Sequence, residues 1–428
     1  MRTFSTASAS RGDILNALKR PTQDLTPIRA TVRPIIDAVR KDGDSALRRF
    51  TEEFDKVNVK NLRVSREEIQ ESFSIVDPSV IAAIRKAAEA IQRFHENVSQ
   101  NGRSIETNPG VVCSRITRPL DSVGLYIPSG LLSTVLMLGI PATIAGVRRI
   151  ILCSPPGANG KLNGAILAAC AIVGIEEVYA IGGAQAIAAM AYGTETVPNV
   201  AKIVGPGNVY VTAAKAEVSI DPEGAAIDML AGPTELLIIA DTSADPRIVA
   251  ADLLSQAEHD ASSQVVLLTT SATLLSSVER ELNVQLASLP RRAIATQALA
   301  KSVLILVKNL QEAVDIANVY APEHVSIQTD SPEKLLKDIQ NAGSVFLGTW
   351  SGEVFGDYCA GPNHCLPTAG TAKSQSSVSV DTFCKRMSAQ KLSKDGAREL
   401  STTASILARA EGLEAHARAA DIRRLPQS

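Results

Sequence analysis

A series of short apolar runs, separated by stretches of helical periodicity, constrains the fold more than any other feature of this chain. The runs are "RRIILCS", "EVYAIGG", "AKIVGPGN", "TELLIIAD", "QVVLLTT", "VLILVKN", "HVSIQTD" and "GSVFLG". Each has the length and composition of a buried strand. Strands alternating with helices build parallel sheets covered on both faces, with ligands beyond the carboxyl ends of the strands. The runs fall into two sets, before and after "AGPTELLIIAD", so the fold class is α/β with two Rossmann-like lobes. Residues 126–233 are expected to form one lobe. Residues 23–125 and 234–378 form a discontinuous second lobe, completed by N-terminal helices such as "IRATVRPIIDAVRKDGDSALRRFTEEFD" and "PSVIAAIRKAAEAIQRFHENV". Residues 1–22 read as an N-terminal helical segment and 379–428 as a helical tail. That tail is poor in large apolar residues and cannot build its own core, so it must pack elsewhere, a second subunit being one candidate.

The 428 residues give room for more than one domain, and 45 % hydrophobic with 21 % charged residues is the composition of a soluble globular protein. A net charge of −2 and 4 % aromatics provide neither the field nor the stacking surfaces for nucleic acid, and no pull toward an anionic membrane. The uncharged run Ser122–Val147 is long enough to span a bilayer. Pro128, Gly130, Gly139 and Pro141 interrupt it, so it reads as a strand, a glycine-containing loop and a buried helix. The six cysteines are scattered without a CxxC pair, which suits a reducing, cytoplasmic setting. The opening "MRTFSTASASRG" has the serine and arginine content of a transit peptide, but "DILNALKRP" follows at once as a native helix.

In "LLSQAEHDASSQVVLL", Gln256 and His259 stand three apart near a helix end, on nearly one face. They can satisfy each other as a hydrogen-bonded pair or hold one metal ion, and a helix terminus also favours histidine for dipole reasons. Of the five histidines, His95 is placed on the polar side of its helix as a solvated bystander. His259, His324, His364 and His416 sit in the unusual settings "SQAEHD", "APEHVSIQ", "GPNHCLPT" and "GLEAHARA", which together point to a shared polar site. In "YAPEHVSIQT", Pro322 stops a helix and sets Glu323–His324 at the mouth of the next strand. A carboxylate beside an imidazole suits paired proton transfer; the bland alternative is a helix-ending histidine and a solvated glutamate. "GDYCAGPNHCLPT" sets Asp357, Cys359, His364 and Cys365 in a Gly/Pro-rich loop; these could form a zinc site alone, but their spacing matches no common structural zinc pattern, and a single oxygen ligand, Asp357, given to a site assembled from remote segments is the better reading. "IGGAQAIAAM" and "IVGPGNVYVTAAK" place glycine turns between strand and helix, where backbone N–H groups can cradle phosphate, although neither is GxGxxG. In the tail, Glu414 and Arg418 have the spacing of a surface pair, and Glu411 and His416 do not share a helical face.

Taken in order, "GLYIP", "GGAQAIAAMAYGTE", "KIVGPGNVYVTAAK", "AIDMLAGPTELLIIAD", "DLLSQAEHD", "APEHVSIQT", "AGSVFLG", "GDYCAGPNHCLPT" and "EGLEAHARA" resemble the histidinol dehydrogenase family over nearly the whole chain. The resemblance implies a homodimer with one Zn²⁺ per subunit. It implies oxidation of L-histidinol to L-histidine through L-histidinaldehyde with two NAD⁺, the last steps of histidine biosynthesis. It assigns Gln256, His259, Asp357 and His416 as zinc ligands, with His416 reaching in from the second subunit. His324 takes the hydroxyl proton and Glu323 activates water. Thr234 and Glu411 join the zinc ligands and His324 in binding substrate, Glu411 again across the dimer. Tyr126, Gln185 and Asn208 contact NAD. The chain departs from the family pattern in a shortened loop after "YIP", in Asp260, in Ala360-Gly361-Pro362, and in Thr234 where serine is commoner. These departures leave open a related zinc- and NAD-dependent dehydrogenase of another polar alcohol, such as a sulfonated diol. A zinc hydrolase using Glu323 has no need of the strand–glycine–helix turns. A non-catalytic binding protein has no need of Glu323 and His324. A thiol-based aldehyde dehydrogenase would need Cys113 or Cys153 activated, and nothing beside either lowers a thiol pKa.

Overall fold

In the computed structural model, which describes residues 1–20, 24–97 and 104–424, the apolar runs form two parallel sheets. One has six strands in the order Arg2–Ser5, Val303–Leu306, Gln264–Thr269, Glu235–Ala240, His324–Gln328, Ser344–Leu347. Glu235–Ala240 and Gln264–Thr269 are buried at every residue, which is why they read as unbroken apolar runs rather than alternating ones. Leu236 and Ile238 face a core with the helices Pro246–Ala257 and Ala272–Leu286. Leu237 and Ile239 face the opposite core, with Arg11–Ala17 and Leu310–Tyr320.

The other parallel sheet has five strands in the order Glu177–Ala180, Arg149–Ser154, Ser122–Tyr126, Lys202–Val204, Ala226–Ile227. The long uncharged run is the strand Ser122–Tyr126 followed by the almost wholly buried helix Leu132–Ala145. Among the described residues no helix is long and apolar enough to cross a membrane. Both sheets belong to one compact unit, residues 1–97 and 121–382.

Three boundaries differ from expectation. The serine-rich opening is not wholly helical: Arg2–Ser5 pairs in parallel with Val303–Leu306, and Ser10 closes a capping box on Arg11–Ala17. The helices Thr26–Phe50, Arg66–Ile75 and Pro78–Glu96 pack on helices of the five-stranded lobe, not the six-stranded one. Specific polar contacts fix that choice: Arg29 and Arg33 pair with Glu217, and Asp44 accepts hydrogen bonds from the hydroxyls of Thr194 and Thr196. The five-stranded lobe accordingly begins with the strand at Ser122 rather than at residue 126.

The third difference concerns the tail. Residues 98–120 and 383–428 make a second compact unit. Cys384–Leu392 forms an antiparallel sheet with Val111–Pro119 and Ser104–Asn108 before the helices Lys394–Ala410 and Glu414–Asp421 begin. "CKRMSAQKL" is largely exposed, so it lacks the apolar alternation by which a half-buried strand announces itself, and its partner strand defines it.

Candidate active site

The two sheets of the first unit border a cavity of about 180 Å³. Gly205 and Pro206 line it from the five-stranded lobe, and Thr234, His259, Glu323, His324, Asp357 and His364 from the six-stranded side. Five remote segments thus converge. Thr234 precedes one central strand and His324 opens its neighbour, opposite Leu236. Both lie at the amino ends of their strands, so the six-stranded sheet departs from the carboxyl-end rule. Gln256 lies in the last turn of the helix Pro246–Ala257 and His259 just beyond it. Asp357 sits on the short helix Glu353–Tyr358 rather than in a loop.

Glu323 and His324 are held by one neighbouring residue. The Glu235 N–H donates to Glu323 Oε2 at 2.9 Å, and the Glu235 carbonyl meets His324 Nδ1 at 2.9 Å. A carbonyl only accepts, so Nδ1 carries a proton and Nε2 is the nitrogen left for the cavity. Nε2 is buried without a hydrogen-bond partner and lies 3.6 Å from Asp357 Oδ1, too far for a good hydrogen bond. Burial pulls the His324 pKa down, but the Glu323 and Asp357 carboxylates outweigh it and raise it to about 10. Burial raises Glu323 to about 7 against the opposing pull of His324, Thr234 and the Glu235 N–H. Asp357 moves the other way: burial raises it, but His324 and then His364 hold it below the usual carboxylate range.

The Thr234 hydroxyl lies 2.7 Å from Gln256 Oε1 and 2.6 Å from Glu323 Oε2. One hydroxyl proton cannot serve two acceptors, so a proton on Glu323 completes the chain, which its raised pKa permits. Gln256 is buried, and its Nε2 donates to Glu353.

Sequence reading does not single out Glu353, yet it is buried at the centre of this network and also accepts from Ser255 Oγ at 2.9 Å. Burial raises its pKa to about 8. The available signal was its spacing, one helical turn before Asp357. Ligand atoms of His324, Glu353 and Asp357 lie within 4.8 Å of one another, a cluster able to hold a cation. Of the four expected zinc ligands, only Asp357 belongs to that cluster. His259 lines the same cavity, and Gln256 joins it through Thr234 and Glu353. Amide oxygen, carboxylate and imidazole are zinc-type donors, and the orphaned Nε2 shows that the polar cavity is not satisfied by protein alone. His416 and Glu411 are exposed on the helical part of the second unit.

One histidine reading changes. His95 is not solvated: it is 1 % exposed, on the buried stripe Ile84, Ala87, Ala88, Ile91 of its helix, a spacing that places it inside. His364 lines the cavity, its Nδ1 2.9 Å from the Asp357 carbonyl and its Nε2 3.2 Å from Thr134 Oγ1. Of the two thiols considered as nucleophiles, Cys153 is buried with its pKa pushed up by burial, and Cys113 lies in the three-stranded sheet of the second unit.

In the five-stranded lobe, Tyr126 is the last residue of its strand, and Gln185 and Asn208 lie beyond the carboxyl ends of theirs. Tyr126 is buried, its pKa pushed up to about 12 by burial, and its hydroxyl accepts from the Gly183 N–H at 3.0 Å. Gln185 is fully buried with both amide atoms lacking a hydrogen-bond partner. Asn208 caps the helix Val209–Ile220 by accepting from the N–H groups of Tyr210 and Val211. The turn before it is tightly fixed. Gly205 has φ +131°, and a Cβ there would lie 2.2 Å from the Tyr126 carbonyl. A buried ion pair grips the same glycine: Lys215 pairs with Asp228 and donates to the Gly205 carbonyl, while Asp228 accepts from its N–H.

A histidinol dehydrogenase family model matches residues 18–424. The histidinol dehydrogenase of Vibrio cholerae is 49 % identical over 99 % of this chain and 98 % of its own length. That of Yersinia pestis is 50 % identical, over 95 % of this chain and 92 % of its own. The chain belongs to the histidinol dehydrogenase family. A crystal structure of histidinol dehydrogenase from Elizabethkingia anophelis superposes with a TM-score of 0.95 at 44 % identity, covering 99 % of this chain and 98 % of that one. Membership of a dehydrogenase family sets aside the hydrolase and non-catalytic readings.

Proposed function

We propose that this histidinol dehydrogenase family member oxidises L-histidinol to L-histidine through L-histidinaldehyde, at the expense of two NAD⁺ and with one Zn²⁺ per subunit. The observation that carries the reading is the buried Glu323–His324 pair at the cavity, with Nδ1 engaged by Glu235 and Nε2 left unpartnered. When bound, Zn²⁺ supplies an anchor for the imidazole and amine of the substrate, and NAD⁺ supplies the hydride acceptor. Gln256, His259 and Asp357 would hold the metal, with His416 contributed by a second copy of the chain. Thr234 and Glu411 add substrate contacts, Glu411 also from the second copy. Tyr126, Gln185 and Asn208 would receive the dinucleotide at the carboxyl ends of the five-stranded sheet.

His324 Nε2 takes the hydroxyl proton in the first oxidation. Its raised pKa reflects facing carboxylates, Glu323 first and then Asp357; with Asp357 committed to a bound cation that pull would be weaker, and Nε2 would serve as the base. Glu323, poised near neutrality by burial, takes a proton from the water that hydrates the aldehyde before the second oxidation. The homodimer and a cytoplasmic location belong to the same proposal; the scattered cysteines suit a reducing compartment.

The test is stoichiometric. Full turnover of L-histidinol should yield two NADH per substrate, cease on chelation, and return with added Zn²⁺. A single NADH with aldehyde released into solution would contradict the second oxidation. Higher kcat/KM for a sulfonated diol in a panel of polar alcohols would contradict the substrate.

A further inference from the structure

We propose that Arg20, outside the cavity, is a positioning residue for the Glu323–His324 pair; this rests on the functional reading above. Arg20 follows the helix Arg11–Ala17, remote in sequence from every other site residue. Its Nε and Nη2 donate to the two carboxylate oxygens of Glu235 at 2.5 and 2.8 Å, a bidentate grip. Nη2 also donates to the carbonyls of Tyr320 at 2.7 Å and Ala321 at 3.1 Å. The guanidinium lies 3.8 Å from the centre of the Tyr320 ring.

These partners share one property: each leads to the catalytic pair. Glu235 is the residue whose N–H holds Glu323 and whose carbonyl holds His324 Nδ1. Tyr320 and Ala321 are the last residues before Pro322, Glu323 and His324. Ala321 is a non-glycine residue in the left-handed region, φ 51° and ψ 67°, a conformation that persists only where its surroundings over-determine it. One planar guanidinium therefore fixes both the strand residue that grips the two side chains and the strained turn that aims their backbone. Lysine carries the same charge but cannot reproduce the fork, the stacking and the carbonyl contacts together. Ala369 N–H also binds Glu235 Oε1, so Glu235 keeps a partner when Arg20 is replaced.

The experiment compares full-length, zinc-loaded wild type with Arg20→Lys and Arg20→Ala, reading kcat per folded, zinc-bound site and KM for L-histidinol and NAD⁺. Because Arg20 does not line the cavity, the expected result is a kcat lower by roughly 10–100-fold with little change in either KM, as misplacement of reacting groups produces. Guanidinium ion added at low concentration should restore part of the Arg20→Ala rate and none of the Arg20→Lys rate. A purely structural role would lower the melting temperature yet leave kcat per folded site unchanged and show no rescue; that result overturns the proposal. If Arg20→Ala does not fold, Arg20→Lys decides by the same kcat criterion. If the wild type itself reduces no NAD⁺ with L-histidinol, the functional reading falls and this proposal with it.

Discussion

Glu323 and Asp357 are both carboxylates bordering one cavity, and their surroundings drive them apart. Burial raises Glu323 to about 7, whereas His324 and His364 overcome burial and hold Asp357 low. That separation assigns roles: Asp357 is a lasting negative charge suited to a cation, and Glu323 is a group able to take and return a proton. Glu323→Gln keeps shape and hydrogen-bonding capacity but removes the base. It should lower oxidation of L-histidinaldehyde by roughly 10²–10⁴-fold. The first hydride transfer should survive, so a single turnover with L-histidinol should give one NADH where the wild type gives two. The pH sign follows from the raised pKa. Below about 7 the Glu323 carboxyl holds its proton and cannot accept another, so aldehyde oxidation should accelerate as pH rises through 7. Initial rates of NADH formation from the aldehyde across that range, for wild type and Glu323→Gln, check both statements. The variant should lack the inflection.

At the scale of elements, Asn208 is a helix cap that would also make the proposed dinucleotide contact with the same side chain. Its Oδ1 accepts from the Tyr210 and Val211 N–H groups and so starts the helix Val209–Ile220; the amide nitrogen takes no part in that cap and is the atom proposed to meet the dinucleotide. Asn208→Asp keeps the cap and removes the donor; Asn208→Ala removes both. Urea unfolding should show a loss of about 1 kcal/mol for Asn208→Ala and almost none for Asn208→Asp. KM for NAD⁺ should rise in both, and an Asn208→Asp enzyme with unchanged KM would leave Asn208 as a cap alone. This turn was legible in the sequence because glycine after an apolar run and Asn before a helix are local signals. The parallel strands were legible because burial on both faces makes them continuous apolar runs. Cys384–Leu392 was not, since an exposed strand is specified by its partner rather than by its own pattern. The same limit applies to the site. Glu323–His324 stands out as a dipeptide after a helix-stopping proline, whereas Glu353 and Arg20 act through residues distant in sequence. Only tertiary structure brings those contacts together.

Over the whole molecule, the two sheets meet the cavity with opposite ends. The five-stranded lobe offers carboxyl ends, at Gly205 and Pro206, and the six-stranded lobe offers amino ends, at Thr234 and His324. Donor and acceptor halves of a hydride transfer can therefore approach from different lobes. The proposed metal set still needs a fourth ligand, His416, which belongs to the second compact unit and is exposed there. If that unit is exchanged in a symmetric dimer, each site takes His324 from one copy and His416 from the other. Neither His324→Ala nor His416→Ala should be active alone. When the two are mixed and allowed to exchange subunits, half of the dimers are mixed, and each holds one intact site and one doubly altered site. Recovery should therefore approach about a quarter of wild-type activity, a value set by the two-fold symmetry alone. Exchange is verified independently by isolating dimers that carry two different affinity tags. Activity that stays at the level of the single variants after verified exchange would show that His324 and His416 act within one chain, or that His416 does not serve the site. Recovery near the expected fraction, lost on chelation and regained with Zn²⁺, would place the shared ligand and the metal in the same site.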